Sequence, residues 1–281
     1  MIVVKLGGSA PANSALGEVC ADIADLMKAD ERVVIVHGGS AELARLAARM
    51  GVELRYLTAP DGVVTRYTNA ATLELLTLAL AGMVKPALVA ELTRHGVAAV
   101  GITGFDAGVL RARRKRAVRT VSDGKVMIVR DDHSGRITNV DATVLDRLLD
   151  CGLVPVLSPP ALDEDGRSVN VNADRVASAV AVALAADCLV FLTDVPGVLR
   201  DPDEPASVVP RYHVAERSAV VRGGMGIKLV AAGEALAGGV RRVFIASGHR
   251  NRPVASAQAG RGGTEVILAA IDQPDERISP A

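Results

Sequence analysis

Val33-Val34-Ile35-Val36-His37-Gly38-Gly39-Ser40 is a β-branched run that stops at a glycine pair, and residues 41–50 after it space their apolar side chains as an amphipathic helix does. The chain opens on the same phrase: Ile2–Leu6, then Gly7 and Gly8, then the helical stretch Ala15–Lys28. Further apolar runs at 98–102, 153–157, 189–192 and 243–246 alternate with Ala/Leu-rich segments. A strand covered by helices on both faces reads as an unbroken Val/Ile/Leu run, because neither face meets water. The pattern therefore predicts an α/β fold: a three-layer αβα sandwich around a mainly parallel central sheet.

One region departs from the rhythm. Between 109 and 140 short strand-like pieces are separated by Ser122-Asp123-Gly124 and His133-Ser134-Gly135, turn signals that predict antiparallel hairpins at an edge or lid. Residues 201–210 read as a surface excursion and 272–281 as a frayed tail. The strand–helix pattern restarts near Asn172 without a flexible linker. The expectation is one domain over 1–268, an N-lobe of about 1–172 and a C-lobe of about 173–268 sharing one sheet, with a tail at 269–281.

Composition narrows the function. The 281 residues are 49% hydrophobic, and 32 Lys+Arg balance 32 Asp+Glu, so no overall field favours nucleic acid or an anionic membrane. Aromatics are 2% with no Trp, which argues against base stacking. Cys20, Cys151 and Cys188 are far apart and predict buried apolar residues rather than a disulfide or zinc framework. Met1–Lys5 lack a basic stretch followed by a long apolar run, so no leader is expected, and Asp, Gly or Pro interrupts each apolar run before a bilayer's thickness. The reading is cytoplasmic, with no membrane, nucleic acid or protein-held metal.

Anion chemistry is the positive signal. Lys5-Leu6-Gly7-Gly8-Ser9 and His37-Gly38-Gly39-Ser40 both lie where a strand ends, and parallel strands send such turns to one edge of the sheet. Glycines let a backbone approach an anion, and a helix N-terminus offers N–H groups. Each pair alone is equally a tight strand–helix turn. Neither is a Walker A loop nor a GxGxxG fingerprint. In Asn170-Val171-Asn172-Ala173-Asp174 alternate polar residues face one way if the segment is extended, unless one of them caps the following helix. Two more elements complete the set: Thr193-Asp194-Val195-Pro196-Gly197-Val198-Leu199 after a buried strand, and Gly223-Gly224-Met225-Gly226-Ile227-Lys228 entering a helix.

In this order and spacing the five elements resemble the amino acid kinase family over about residues 1–268, with its carbamate kinase-like fold. The likeness is nearest its acetylglutamate kinases and the branch that phosphorylates aminoadipate or glutamate held on a small acidic amino-group carrier protein. The resemblance implies ATP with Mg²⁺, an N-lobe for the acyl amino acid and a C-lobe for ATP. It implies that Lys5 and Lys228 neutralise charge on the transferring phosphoryl group, with Asp174 orienting both. Gly8 and Gly39 would be backbone donors to phosphoryl oxygens. Gly38, Gly39, Arg66, Asn170 and Asn172 would hold the acceptor, and Lys5, Gly7, Gly8, Thr193–Leu199, Gly223, Gly224, Met225 and Lys228 the nucleotide. A carboxylate acceptor is already ionised, so no histidine need act as a base.

Two departures point to the carrier branch. Acetylglutamate kinases usually read HGGGP and GLRVT where this chain has His37-Gly38-Gly39-Ser40-Ala41-Glu42 and Gly62-Val63-Val64-Thr65-Arg66-Tyr67-Thr68. Arg111, Arg113, Arg114, Lys115, Arg116 and Arg119 form a cationic run, read either as a solvated face or as a patch that steers an acidic carrier. Because the first strand begins at residue 2, the resemblance implies no arginine feedback, and a homodimer. His37 reads as a packed residue, and His133 and His213 as loop residues. Asp194 either meets Mg²⁺ through water or caps a turn. The rivals are a free acetylglutamate kinase and a non-catalytic sensor of amino acids or nucleotides.

Overall fold

The computed structural model describes residues 1–7, 15–122, 124–201, 203–214 and 223–268. Gly8, the turn residue Asp123 and the tail 269–281 fall outside them. In chain order the elements are β1 (Ile2–Leu6), α1 (Ala15–Lys28), β2 (Val33–His37), α2 (Ser40–Arg49), β3 (Tyr56–Thr58), β4 (Val64–Arg66), α3 (Ala70–Thr77), a π-helical stretch (Leu78–Val84), α4 (Lys85–Arg94) and β5 (Ala99–Thr103). There follow β6 (Leu110–Arg114), β7 (Val118–Ser122), β8 (Lys125–Val129), β9 (Gly135–Val140), α5 (Thr143–Asp150), β10 (Val154–Ser158), β11 (Ala161–Leu162), β12 (Ser168–Val169) and α6 (Ala173–Ala183). The last are β13 (Cys188–Thr193), β14 (Arg211–Val214), α7 (Gly223–Ala237), β15 (Arg242–Ser247), α8 (Pro253–Gln258) and β16 (Thr264–Leu268).

Eight strands form the central sheet in the order β14-β16-β15-β13-β1-β2-β10-β5, drawing on both halves of the chain. Its pairings are parallel except β15 with β16. Strand parity divides the core. Val3, Val34, Phe191 and Ile245 pack under α5, α6 and α7, whereas Ile2, Val4, Ile35, Val190 and Phe244 pack under α1, α4 and α8. This is the αβα sandwich expected, and each fully buried Val, Leu or Ile contributes about 1.5–3 kcal/mol. Parity also puts Lys5 on the Val3 face, beneath α6 and α7, at the carboxyl end of β1.

Four expectations change. Helix α3, the π-helical stretch and α4 run on as one helix, Ala70–Arg94. Gly82 and Pro86 do not interrupt it: the turn before Pro86 is π-helical, with Lys85 N–H donating to the Leu80 carbonyl, and that wider turn carries the helix past the proline. By length and composition this helix could cross a membrane; in this fold Leu73, Leu76, Leu80, Val84, Leu88 and Leu92 are buried inside the protein.

In the 109–140 region β7 and β8 do form an antiparallel hairpin, but β8 and β9 do not. Strand β9 pairs instead with β6, and Gly135 serves close packing: a Cβ there would lie 2.5 Å from Val169 Cγ1 and 2.7 Å from the Arg113 carbonyl. Cys20 and Cys188 are buried, but Cys151 is exposed at the end of α5. His213 lies in strand β14 rather than in a loop.

Candidate active site

Lys5, Asp174 and Lys228 meet at the carboxyl edge of the sheet. Lys5 Nζ lies 2.7 Å and Lys228 Nζ 3.0 Å from the same Asp174 oxygen, Oδ1. All three are buried, at 6%, 7% and 7% exposure for Lys5, Asp174 and Lys228. Local sequence sets each up. Asn172 caps α6, its Oδ1 accepting the N–H of Asp174 (2.9 Å) and of Arg175 (3.1 Å), which fixes Asp174 in the first turn. Helix α7 then packs along α6, pinned by Ser178 Oγ donating to the Ala231 carbonyl at 2.7 Å, and that contact delivers Lys228. The Lys228 ammonium also stands 5.5 Å from the Phe191 ring centroid.

Electrostatics suit the trio to an anion. Burial works against the Asp174 carboxylate's charge, but Lys5 and Lys228 more than offset it, and its pKa sits below the ordinary carboxylate value. Burial, reinforced by the charge of Lys5, lowers the pKa of Lys228. Two ammonium groups against one carboxylate leave one net positive charge in a water-poor setting. Removing a single partner from such a buried group costs about 3–5 kcal/mol.

The glycine turns supply space more than donors. Gly7 N–H is already given to the Leu192 carbonyl (3.0 Å) and Gly38 N–H to that of Leu6 (3.3 Å), so these two groups stitch strand ends together. Gly39 approaches the long helix so closely that a Cβ would lie 2.5 Å from Leu80 Cδ2. As the N-cap of α2 it brings no side-chain hydrogen bond to the first N–H groups of that ten-residue helix. His37 is fully buried, and its Nδ1 lies 3.0 Å from the Gly38 carbonyl. Burial pushes its pKa down to about 4, so it is neutral, donates from Nδ1 and steadies the turn.

Strand β4 carries Arg66, whose Nε is buried without a protein hydrogen-bond partner. A carboxylate would satisfy it. Asn170 Nδ2 donates to Thr68 Oγ1 at 3.0 Å, which ties the Asn170 segment to the strand end beyond Arg66. The three alternate polar residues of 170–174 therefore divide their work: Asn170 is turned to Thr68, Asn172 is a helix cap, and Asp174 is with the lysines. Sequence alternation failed here because the helix begins inside the motif.

The segment 193–199 leaves β13 and folds toward β16. Val198 N–H donates to Thr264 Oγ1 at 2.8 Å, and Thr264 in turn donates to the Val209 carbonyl. Leu199 bridges to Val208, so part of the 201–210 excursion returns against it. Asp194 faces His249 at 3.4 Å, and both border a small apolar cleft with Leu6, Gly7, Leu192 and Thr193. Gly223, Gly224 and Met225 form the first turn of α7. No structural feature here singles out Val195.

The cationic run is not one patch. Arg113, Arg114, Lys115 and Arg116 line a cleft with Arg130, Arg167 and the acidic turn Asp163-Glu164-Asp165. Arg119 borders a second groove beside α6, which Lys115 lines as well, and the Arg111 guanidinium lies over Gly108. The ladder between β6 and β9 shifts register between Arg111 and Ala112, and β7 belongs to a different sheet, so the run does not keep to one face. Phe191, Thr264, His249 and Thr68 border these sites without having been singled out in the sequence. Phe191 is hidden in an apolar run, and the others act through contacts distant along the chain.

Residues 1–247 match the model of the amino acid kinase family. A protein of Deinococcus radiodurans named [LysW]-aminoadipate kinase is 39% identical over 265 residues, covering 93% of this chain and 90% of that protein. An acetylglutamate kinase of Methanopyrus kandleri is 38% identical over 250 residues, 87% of this chain and 94% of the relative. Among solved structures, smu.665 of Streptococcus mutans superposes with a TM-score of 0.74 at 26% identity, over 94% of this chain and 97% of that one.

Proposed function

The chain belongs to the amino acid kinase family, and from that premise we propose that it moves the γ-phosphoryl group of ATP to the side-chain carboxylate of aminoadipate or glutamate whose amino group is held on a small acidic carrier protein. It is a phosphotransferase. The observation that carries the reading is the buried Lys5–Asp174–Lys228 group at the carboxyl edge of the sheet.

A carboxylate oxygen of the acceptor attacks the γ-phosphorus, the bond to the β-bridging oxygen breaks, and ADP leaves as an acyl phosphate forms. No proton moves, so the protein's part is to align two anions and to neutralise charge as it shifts to the leaving oxygen. We assign Lys5 and Lys228 to that charge, and Asp174 to holding both ammonium groups in place. Gly8 and Gly39 are assigned as backbone donors to the phosphoryl oxygens, and Arg66 with Gly38, Gly39 and Asn170 as the acceptor's grip. Mg²⁺ bound with the nucleotide would neutralise further phosphate charge. Since Asp174 is committed to two lysines, Asp194 is the carboxylate we assign to the ion, through water.

In this reading 1–172 serves the acceptor and 173–268, with 193–199 and the start of α7, serves ATP in the cytoplasm. A homodimer would cover exposed apolar side chains such as Leu78 and Val64. The cleft of Arg113, Lys115 and Arg116 is what supports an acidic carrier, alongside the printed name of the Deinococcus relative. A second reading, free N-acetylglutamate as acceptor, is favoured by the likeness to the Methanopyrus enzyme. Trapping the acyl phosphate with hydroxylamine decides between them. Hydroxamate is expected with carrier-bound aminoadipate or glutamate at a rate well above that with N-acetylglutamate. Equal rates would remove the carrier, and no hydroxamate with any of the three would remove the acceptor assignment.

A further inference from the structure

Residues 131–134, between β8 and β9, grip the end of β4. Thr68 N–H donates to Asp132 Oδ2 at 2.9 Å, His133 N–H donates to the Thr68 carbonyl at 2.7 Å, and Tyr67 Oη donates to the Asp131 carboxylate. The same four residues hold Asn170 from its other side: Asn170 N–H donates to the His133 carbonyl at 2.9 Å, while its Nδ2 reaches Thr68 Oγ1. Arg66 and Asn170, remote in sequence, are thus brought to one place through a shared segment.

Asp132 is its centre. The side chain is 2% exposed, and its second oxygen accepts the N–H of Ser134 at 2.8 Å, bending the segment back on itself. Arg114 braces it from the cleft, donating to the carbonyls of Asp132 (3.0 Å) and Arg130 (3.3 Å). Both Asp132 oxygens face N–H donors, so the site needs an acceptor twice over. A carboxylate meets that need, and an amide, with one oxygen and one NH₂, does not.

We propose that Asp132 is a positioning residue of the acceptor site, fixing the strand end at 66–68 against Asn170 so that Arg66 and Asn170 meet one substrate. The proposal rests on the assignment of Arg66 and Asn170 to the acceptor. It is tested by steady-state kinetics with carrier-bound aminoadipate and ATP on Asp132→Asn, Thr68→Val, Thr68→Ser and Arg66→Lys, each checked by thermal unfolding.

Asp132→Asn is expected to raise the acceptor KM about tenfold or more, the size of one lost charge-assisted hydrogen bond, with the ATP KM within about twofold of wild type. Thr68→Val, nearly isosteric, should raise the acceptor KM alone, and Thr68→Ser, which keeps the hydroxyl, should restore it. Should Asp132→Asn not fold, the Thr68 pair decides. An acceptor KM raised by Arg66→Lys but by neither Asp132→Asn nor Thr68→Val overturns the positioning role and leaves the acceptor reading standing. An acceptor KM untouched by Arg66→Lys takes both down.

Discussion

Lys228 sits where its own charge is disfavoured. Burial lowers its pKa first, the neighbouring Lys5 lowers it further, and Asp174 restores only part. In the free enzyme its proton therefore leaves below the ordinary lysine range, whereas bound triphosphate, bringing negative charge, pulls the pKa back up. The protonated form is the active one, so activity falls as pH rises through that value. The alkaline limb of kcat/KM for ATP, which reports the free enzyme, should lie below the usual lysine pKa and below the limb seen in kcat. Lys228→Ala should abolish the difference and lower kcat about 10²–10³-fold, as losing one preorganised donor does. Coincident limbs at the ordinary lysine value would contradict the role. Asp174 stays ionised across this window, since Lys5 and Lys228 hold its pKa down despite burial. Lys5 and Lys228 were legible as cations beside glycine turns, but their meeting on Asp174 came only through the family likeness, because α6 begins inside the 170–174 motif and breaks its alternation. Asp132 was not legible, because a carboxylate that binds backbone N–H groups leaves no spacing to read.

Strands of the central sheet were legible for a related reason. Ile2–Leu6 and Val33–His37 are wholly buried, so every residue votes the same way. The small sheets were not, because β6 pairs with β9 across an intervening hairpin, and local turn signals carry no information about such a partner. Gly135 shows the error in one residue. Sequence reads it as a turn glycine, yet its neighbours are Val169 Cγ1 at 2.5 Å and the backbone carbonyl of Arg113 at 2.7 Å from where a Cβ would stand. A side chain end can rotate aside, but a carbonyl inside a β ladder cannot. Gly135→Ala should therefore separate β9 from β6 and cost about 1–3 kcal/mol, as overpacking does. Gly62→Ala has open space, and its penalty is confined to the left-handed backbone at φ 83°. Chemical denaturation of the two variants side by side measures this, and a Gly135→Ala midpoint equal to wild type would show that the ladder yields. The helix Ala70–Arg94 was misread in the opposite direction: a proline that looks like a break is carried by the π-helical turn just before it.

Across the whole molecule charge sums to zero, so long-range attraction to any partner must come from how charge is distributed rather than from its total. Arg113, Arg116, Arg130 and Arg167 line one cleft, Arg119, close in sequence, lines another groove, and Lys115 borders both. The acidic turn at the cleft rim tempers the field: Glu164 takes Arg113 at 3.0 Å and Asp165 takes Arg167 at 3.2 Å, both exposed pairs of little strength on their own. A partner presenting several carboxylates would exchange these weak contacts for its own and gain chiefly in association rate, an effect that fades as salt shortens the screening length to about 8 Å at physiological ionic strength. Replacing Arg113 and Arg116 together by Gln should thus raise the KM for the carrier-bound acceptor at low salt and flatten its dependence on ionic strength, leaving the ATP KM where it was. Arg119→Gln should leave the carrier KM unchanged. Were Arg119→Gln to match the double variant, carrier recognition would follow the overall count of positive charge, and the cleft would lose its claim to be the docking surface.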